Sequence, residues 1–159
     1  MCTEKKLEFE QVKNKALRYL EYRAHSEHEL YVKLKRAGAE EEDIERVLEF
    51  LREYKFVDDK EFAVKCAKDM KNLKKFGKKR VRAELMKKGI EPEYIENAIE
   101  QIEWEDEDVL YPMVKKKLSG DFERKSIDRC IRYFVYKGYG FEEIKSMIEK
   151  IKAEEEYGI

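Results

Sequence analysis

A basic segment in the middle of the chain carries the residues best suited to binding chemistry. Between Lys74 and Lys88, eight lysines and arginines are accompanied by a single acid, Glu84. The positions that we assign to a partner or DNA are Lys74, Lys75, Lys78, Lys79, Arg80 and Arg82. Cations at this density bind nucleic-acid phosphates, or carboxylates on a protein partner. The alternative is a solvated basic face that is balanced by the acidic helix that follows it.

A second basic set lies about 40 residues further along, at Arg124, Lys125, Arg129 and Arg132. It is preceded by three consecutive lysines at 115–117. Because a guanidinium binds phosphate or carboxylate through two parallel hydrogen bonds, the three arginines, together with Lys125, are also assigned to partner or DNA binding. Pairing with nearby acids within the fold is the alternative.

Aromatic residues cluster next to the second basic set. The cluster consists of Tyr133, Phe134, Tyr136, Tyr139 and Phe141. We expect Phe134 and Tyr139 to pack in the core. Contact of Tyr133 or Tyr136 with a partner is the alternative to a purely structural role for those two residues.

The residues that serve enzymes and metal sites do not form a convincing set. His25 and His28 flank Ser26, and a spacing of three alone is weak evidence for a metal site, so they are interpreted as surface residues of a helix cap. The acids of Asp58-Asp59 are likewise explained by capping. We find no nucleophile–base arrangement and no glycine-rich phosphate loop, and the chain is predicted to be a non-enzyme without cofactor or metal.

The cysteines are few and widely separated: Cys2, Cys66 and Cys130. Of these, Cys66 and Cys130 occupy apolar helix positions and are expected to be core thiols.

The composition favours helices. Charged residues make up 45% of the chain, with only 7 Gly and 2 Pro. The net charge of −1 conceals segregation, because residues 91–108 hold nine acids and no base. The sequence has no apolar run of roughly 20 residues and no signal-peptide core, so we expect a cytoplasmic protein that does not enter a membrane.

An internal repeat with a spacing of about 50 residues organises these elements. Gly38, Gly89 and Gly138 each end a helix of similar pattern, and an isoleucine follows six residues later in each case. We therefore predict an all-α fold of three tandem three-helix repeats, at residues 1–56, 57–104 and 105–159, forming an elongated, curved array. Such repeats bury their cores against one another, and a monomer is expected.

Local signals predict where several helices begin. Ser26–Glu29 and Asp58–Glu61 each have the pattern of a capping box. Pro112 predicts that the seventh helix either begins near Tyr111 or is kinked there.

With these stretches in order, the chain resembles the RecX family of bacterial recombinase regulators over about residues 15 to 150. The resemblance is carried by Ser26-Glu27-His28-Glu29-Leu30, Asp58-Asp59-Lys60-Glu61-Phe62-Ala63, Glu84-Leu85 with Lys88-Gly89-Ile90, and Lys137-Gly138-Tyr139. It implies tandem three-helix repeats that bind the RecA recombinase filament. It also implies inhibition of the ATPase and strand-exchange activities of RecA, and hence a role in homologous recombination, DNA repair and the SOS response.

Two other functions remain open. The helix–turn–helix-like units with basic second helices favour a direct DNA binder, of single or double strands, although a nearly neutral net charge is unusual for one. A general helical scaffold for protein interactions is the third hypothesis.

Overall fold

The computed structural model describes residues 7–104 and 107–158. Within these ranges the chain forms nine helices and no strand, which confirms the all-α prediction. Cys2 and residues 105–106 of the acidic segment lie outside the described residues. The helices are α1 Phe9–Tyr22, α2 Glu27–Arg36, α3 Glu41–Glu53, α4 Asp59–Lys74, α5 Lys78–Lys87, α6 Pro92–Glu100, α7 Glu107–Leu118, α8 Arg124–Tyr136 and α9 Phe141–Tyr157.

The chain divides into two compact units. Unit 1 contains the residues up to Cys66 together with Glu84–Ile99, and unit 2 contains Ala67–Ala83 together with the residues from Glu100 onward. Helices α4 and α5 therefore each contribute to both units. The three domains predicted from the repeat, at 1–56, 57–104 and 105–159, remain a proposal for the organisation of the sequence.

The core of unit 1 is built from apolar stripes with helical spacing. Helix α1 contributes residues four apart, Val12 and Ala16, and α2 contributes Leu30 and Leu34 with the same step. Helix α3 adds Ile44, Val47, Leu48 and Leu51. Burial of such stripes, and not intrinsic helix propensity, stabilises helices of this length.

Unit 2 has its own core around α7, α8 and α9. Its buried residues include Leu110, Val114, Phe134, Ile144 and Ile151. Phe134 and Tyr139 are buried as predicted. Cys130 is a core thiol whose pKa is raised by burial, whereas Cys66 is only half-buried.

Helix α7 begins before Tyr111, unlike the first of the two predicted alternatives, a start near Tyr111 or a kink at Pro112. It starts at Glu107 and contains Pro112 in its interior, so a start near Tyr111 is wrong. Proline lacks the N–H that would bond to the carbonyl of Asp108. Pro112 lies on the exposed side of the helix, where water is able to satisfy that carbonyl.

The predicted caps and turns are present. The Ser26 hydroxyl accepts from the amide of Glu29 at 3.1 Å, and the Glu29 carboxylate accepts from the amide of Ser26 at 3.2 Å. Asp58 accepts from the amide of Glu61 at 3.2 Å. The three repeat glycines all have positive φ, which explains why glycine ends each of these helices.

In unit 1, the start of α2 contacts the end of α5, the second helix of the next repeat. The Ser26 hydroxyl, at the start of α2, donates to the carbonyl of Lys88 just beyond α5 at 2.7 Å. Any side chain at Gly89 would overlap the side chain of His28. The glycine therefore serves both the helix end and the packing of α5 against α2.

The same junction recurs in unit 2 between α8 and the start of α5. The Gly77 amide donates to the carbonyl of Lys137 at 2.7 Å. A Cβ at Gly77 would lie 2.6 Å from the carbonyl oxygen of Gly138, and a Cβ at Gly138 would lie 2.5 Å from the amide nitrogen of Arg80. Both backbones thus approach within a distance that only glycine permits.

Gly138→Ala should lower the free energy of unfolding far more than Gly38→Ala. Both glycines have positive φ, at +105° and +95°, but a Cβ at Gly38 meets no atom within 4 Å. Gly38→Ala should cost about 1 kcal/mol from backbone strain alone, and Gly138→Ala at least roughly 2 kcal/mol more from overlap. Urea denaturation measures both, and equal losses would contradict the close-packed junction.

Candidate functional site

The loop between α4 and α5 in unit 2 is held by the end of α8. Lys137 Nζ donates to the carbonyl of Lys74 at 3.0 Å, and the Tyr139 hydroxyl donates to the carbonyl of Lys75 at 3.0 Å. Lys75 has a positive φ of 58°, so this chain reversal depends on its tertiary contacts. The first basic segment is therefore joined to α8 at a defined position.

Three cations of unit 2 surround one aromatic ring. Measured to the ring centroid of Phe76, Arg80 Cζ lies at 4.9 Å, Lys137 Nζ at 5.4 Å and Lys74 Nζ at 5.6 Å. Each such contact stabilises by about 0.5–1 kcal/mol at an exposed site. The ring, which is itself only 8% exposed, thus gathers positive charges that would otherwise repel.

Arg80 connects this ring to α8. Its Cζ lies 4.3 Å from the ring centroid of Tyr136, its Nη1 donates to the Tyr136 carbonyl at 3.2 Å, and its Nη2 donates to the Tyr136 hydroxyl at 3.4 Å. Tyr136 is 66% exposed. Arg80 is therefore held in a defined orientation on a ring that remains open to solvent.

Tyr136 also joins the two basic sets that the sequence presents separately. It follows Arg132 by four residues and Arg129 by seven, so the three share one side of α8. Both arginines are exposed. We call the combined patch the basic–aromatic surface; it consists of Lys74, Phe76, Arg80, Arg129, Arg132, Tyr133, Tyr136 and Lys137.

Tyr133 carries a second group of cations on the same surface. Lys117 Nζ lies 4.2 Å and Lys137 Nζ 5.6 Å from the centroid of its ring, which is 39% exposed. Both Tyr133 and Tyr136 are thus exposed, and contact of either with a partner remains a prediction. Lys137 is a functional candidate that the sequence analysis does not include. The signal in the sequence is its position directly before a repeat glycine, a position that Lys88 also occupies.

The remaining assigned residues lie outside the basic–aromatic surface as defined above. Lys75, Lys78 and Lys79 are exposed, as are Arg124 and Lys125 at the start of α8. Arg82 is half-buried and lies about 160° around α5 from Arg80, so it faces a different direction.

A cavity of 410 Å³ opens beside the basic–aromatic surface. Its volume lies within the range of about 300–1,000 Å³ that small-molecule sites have. Its rim carries Lys74, Lys75 and Lys137, and its apolar lining is Leu73, Phe76, Met113, Tyr133, Phe134 and Tyr139. The arrangement combines an apolar recess with cations at its mouth.

His25 in unit 1 is not the surface residue that the sequence suggested. It is 2% exposed, because tertiary packing covers the start of α2. Its Nδ1 lies 2.8 Å from the Arg23 carbonyl and must donate, whereas its Nε2 accepts from Lys33 Nζ at 2.7 Å. Burial lowers the pKa of His25, and although the hydrogen bond to the Arg23 carbonyl and the charge of Glu29 oppose this, the charges of Arg23 and Lys33 add to the lowering. His28 is exposed, and the described residues contain no cluster of three or more potential metal-ligating side chains.

Glu29 faces His25 from the first turn of α2. Burial would raise its pKa, but the hydrogen bonds from Arg23 and the Ser26 amide, together with nearby Lys88, hold that pKa below its ordinary value. Its carboxylate is 2.8 Å from Arg23 and 3.8 Å from Lys88.

Two stretches of the chain match known family domains. Residues 13–51 match the domain described as "RecX, first three-helix domain", and residues 58–99 match "RecX, second three-helix domain". A protein of Clostridioides difficile, named "Regulatory protein RecX", is 32% identical over 151 residues, which cover 92% of this chain and 71% of the relative. The chain belongs to the RecX family. The resemblance expected from the repeats is thereby confirmed.

Other members agree in sequence and fold. A "Regulatory protein RecX" of Clostridium perfringens is 31% identical over 91% of this chain and 70% of its own length. One of Clostridium botulinum is 32% identical over 85% of this chain and 66% of its own length. The chain thus spans about two thirds of these relatives.

Solved structures of RecX proteins share the helical-repeat fold. The crystal structure of RecX from Lactobacillus salivarius superposes with a TM-score of 0.72 at 22% identity, over 91% of this chain and 97% of that one. A second, titled "Crystal structure of regulatory protein RecX", gives a TM-score of 0.69 at 25% identity, over 89% and 73%. No helix among the described residues is long and apolar enough to span a bilayer.

Unit 1 should lose stability on mild acidification because of His25. Its pKa in the folded state is lowered, so the unfolded chain binds more protons as pH falls through the ordinary value of 6.5. The free energy of unfolding should therefore fall with decreasing pH in this range, by at most about 1.4 kcal/mol per pH unit from this group. Urea denaturation between pH 7.5 and 5.5 measures the slope.

His25→Gln should reduce that slope, and His28→Gln, in the same cap but exposed, is the matched control. A His25→Gln variant with the slope of the wild type would contradict the role assigned to the buried imidazole.

Proposed function

We propose that this protein regulates the RecA recombinase in the cytoplasm by binding the RecA–DNA filament and inhibiting its ATPase and strand-exchange activities. The single observation that carries the proposal is the basic–aromatic surface of unit 2, in a chain whose relatives are named regulatory proteins. Binding, and not chemistry on a substrate, is the function proposed. The protein acts as a monomer without cofactor.

The charges of this surface suit a nucleoprotein partner. A filament presents DNA phosphates and the carboxylates of its protein subunits, and Arg80, Arg129 and Arg132 carry guanidinium groups that bind either type of oxyanion. With a net charge of −1, the whole protein provides no general attraction. The attraction is local, and salt screens it over about 8 Å at physiological ionic strength.

The decisive experiment is the rate of ATP hydrolysis by RecA on single-stranded DNA, with this protein titrated in. Inhibition that saturates would support the proposal, and inhibition far below equimolar amounts would favour action at filament ends or by disassembly. A folded protein in excess that leaves the rate unchanged would refute it and favour a general interaction scaffold.

Direct binding of duplex DNA is a second candidate, favoured by the row of exposed cations on α5 and α8. Retention on a duplex-DNA column measures it as the salt concentration rises. Binding through several phosphates falls steeply with salt, so elution well above physiological salt would support this candidate. Elution at low salt would refute it.

Reversing the charge of Arg129 on the basic–aromatic surface, together with that of Lys79 on α5, should weaken inhibition of RecA. The double variant Lys79→Glu/Arg129→Glu changes two exposed residues, so the fold should be retained. We expect the concentration for half-inhibition to rise about tenfold, which corresponds to roughly 1.4 kcal/mol.

The matched control is Lys35→Glu/Lys60→Glu, which makes the same change of charge at exposed positions of unit 1. Equal effects of the two double variants would show that net charge, and not this surface, determines inhibition.

A further inference from the structure

We infer that the 410 Å³ cavity of unit 2 receives one unpaired base of a single DNA strand, stacked against Tyr133, with the adjoining phosphates bound by Lys74 and Lys137. This inference names the ligand of the proposed regulatory surface and therefore rests on the proposed function. It assigns a base-binding role to residues that otherwise serve only as apolar lining.

The shape and lining of the cavity suit a flat aromatic ligand. Phe76, Phe134 and Tyr139 are almost completely buried and form its apolar lining, while Leu73 at the rim is exposed. An apolar recess with a few polar groups at its mouth is the usual form of a site for a small organic group.

Tyr133 provides a stacking face at the wall of this cavity. Its ring makes a T-shaped contact with Phe134, with centroids 5.0 Å apart and an interplanar angle of 83°. The ring is thus fixed on one side by the core while more than a third of it remains exposed. Aromatic rings held in this way are the platforms on which single-stranded nucleic acids stack their bases.

Cations at the mouth are placed for the phosphates on either side of such a base. An ammonium has three donors, and the bond from Lys137 Nζ to the Lys74 carbonyl uses one of them. Lys74 Nζ and Lys137 Nζ lie 5.6 and 5.4 Å from the centroid of Phe76, which lines the cavity. Lys137 Nζ and Lys117 Nζ lie 5.6 and 4.2 Å from the centroid of Tyr133, which also lines it.

Two arguments select an unpaired strand over duplex DNA and free nucleotides. A paired base has both faces covered by its neighbours, so it enters a recess only after unstacking. The surface also continues beyond the cavity to Arg80 and Tyr136, which a mononucleotide in the cavity does not need. A strand that passes along this surface would use both parts.

Fluorescence anisotropy with the wild-type protein and its variants tests the assignment. The probes are a labelled oligothymidylate of about 15 nucleotides, an abasic deoxyribose-phosphate strand of equal length and a duplex hairpin. Tyr133→Ala should weaken binding of the thymidylate strand about tenfold and leave the abasic strand nearly unchanged. Tyr133→Phe keeps the ring and should retain binding, and Tyr22→Ala, at an exposed aromatic of unit 1, is the control.

Three results would overturn the inference. They are equal affinity of the wild type for thymidylate and abasic strands, an equal loss on both strands in Tyr133→Ala, and saturation by thymidine monophosphate at the concentrations at which the strand binds. The inference and the proposed function fail separately: any of these three results, from a protein that still inhibits RecA, refutes only the base site. A wild type that binds thymidylate through Tyr133 but never inhibits RecA refutes only the regulatory function.

Discussion

The backbone contact between Gly77 and Gly138 is the constraint on which the candidate surface depends. It brings the end of α8 against the loop that precedes α5, and the bond from the Gly77 amide to the Lys137 carbonyl fixes their register. Lys137 then reaches Phe76, and Arg80 reaches Tyr136. A side chain at either glycine would separate these two segments by more than an ångström or so, because the opposing atoms are backbone and are unable to rotate aside. The contact that joins the end of α8 to the loop before α5 therefore also assembles the charged surface.

Holding several cations together normally costs free energy, and the aromatic rings of unit 2 reduce that cost. The face of a ring carries partial negative charge, so Phe76 and Tyr136 attract Arg80 from two sides. Arg80 is also fixed by hydrogen bonds to the Tyr136 carbonyl and hydroxyl, and loses less side-chain entropy when a partner binds. The surface is thus partly organised before any partner arrives.

The sequence predicted the helices and the two basic sets, but not their convergence. Helix starts such as Ser26 and ends such as Gly138 depend on interactions within a few residues, so they are visible in the sequence. The contact of Arg80 with Tyr136 spans 56 residues and requires the packing of separate helices, which no local pattern encodes. His25 was misplaced for the same reason, since its burial comes from tertiary packing. The side of α7 on which Pro112 lies and the contacts of Lys137 likewise depend on how the helices pack against one another. The sequence alone does not show that packing.

Comparison of equivalent positions in the repeats supports the proposal that the basic–aromatic surface binds a partner in addition to its contacts within the fold. Nine residues before the repeat glycine, the first repeat has Glu29, while the second has Arg80 and the third Arg129. In unit 1 that acid lies in the first turn of α2, where the helix dipole favours negative charge, and it pairs with Lys88 at 3.8 Å. Helix α5 instead begins with Lys78, Lys79 and Arg80, and has no acid in its first turn. This choice opposes the dipole and costs about 0.3–1 kcal/mol for each charge. A junction with an acid in the first turn of α2 in unit 1 and only cations in the first turn of α5 in unit 2 is the pattern expected if, as proposed, this surface binds a negatively charged partner.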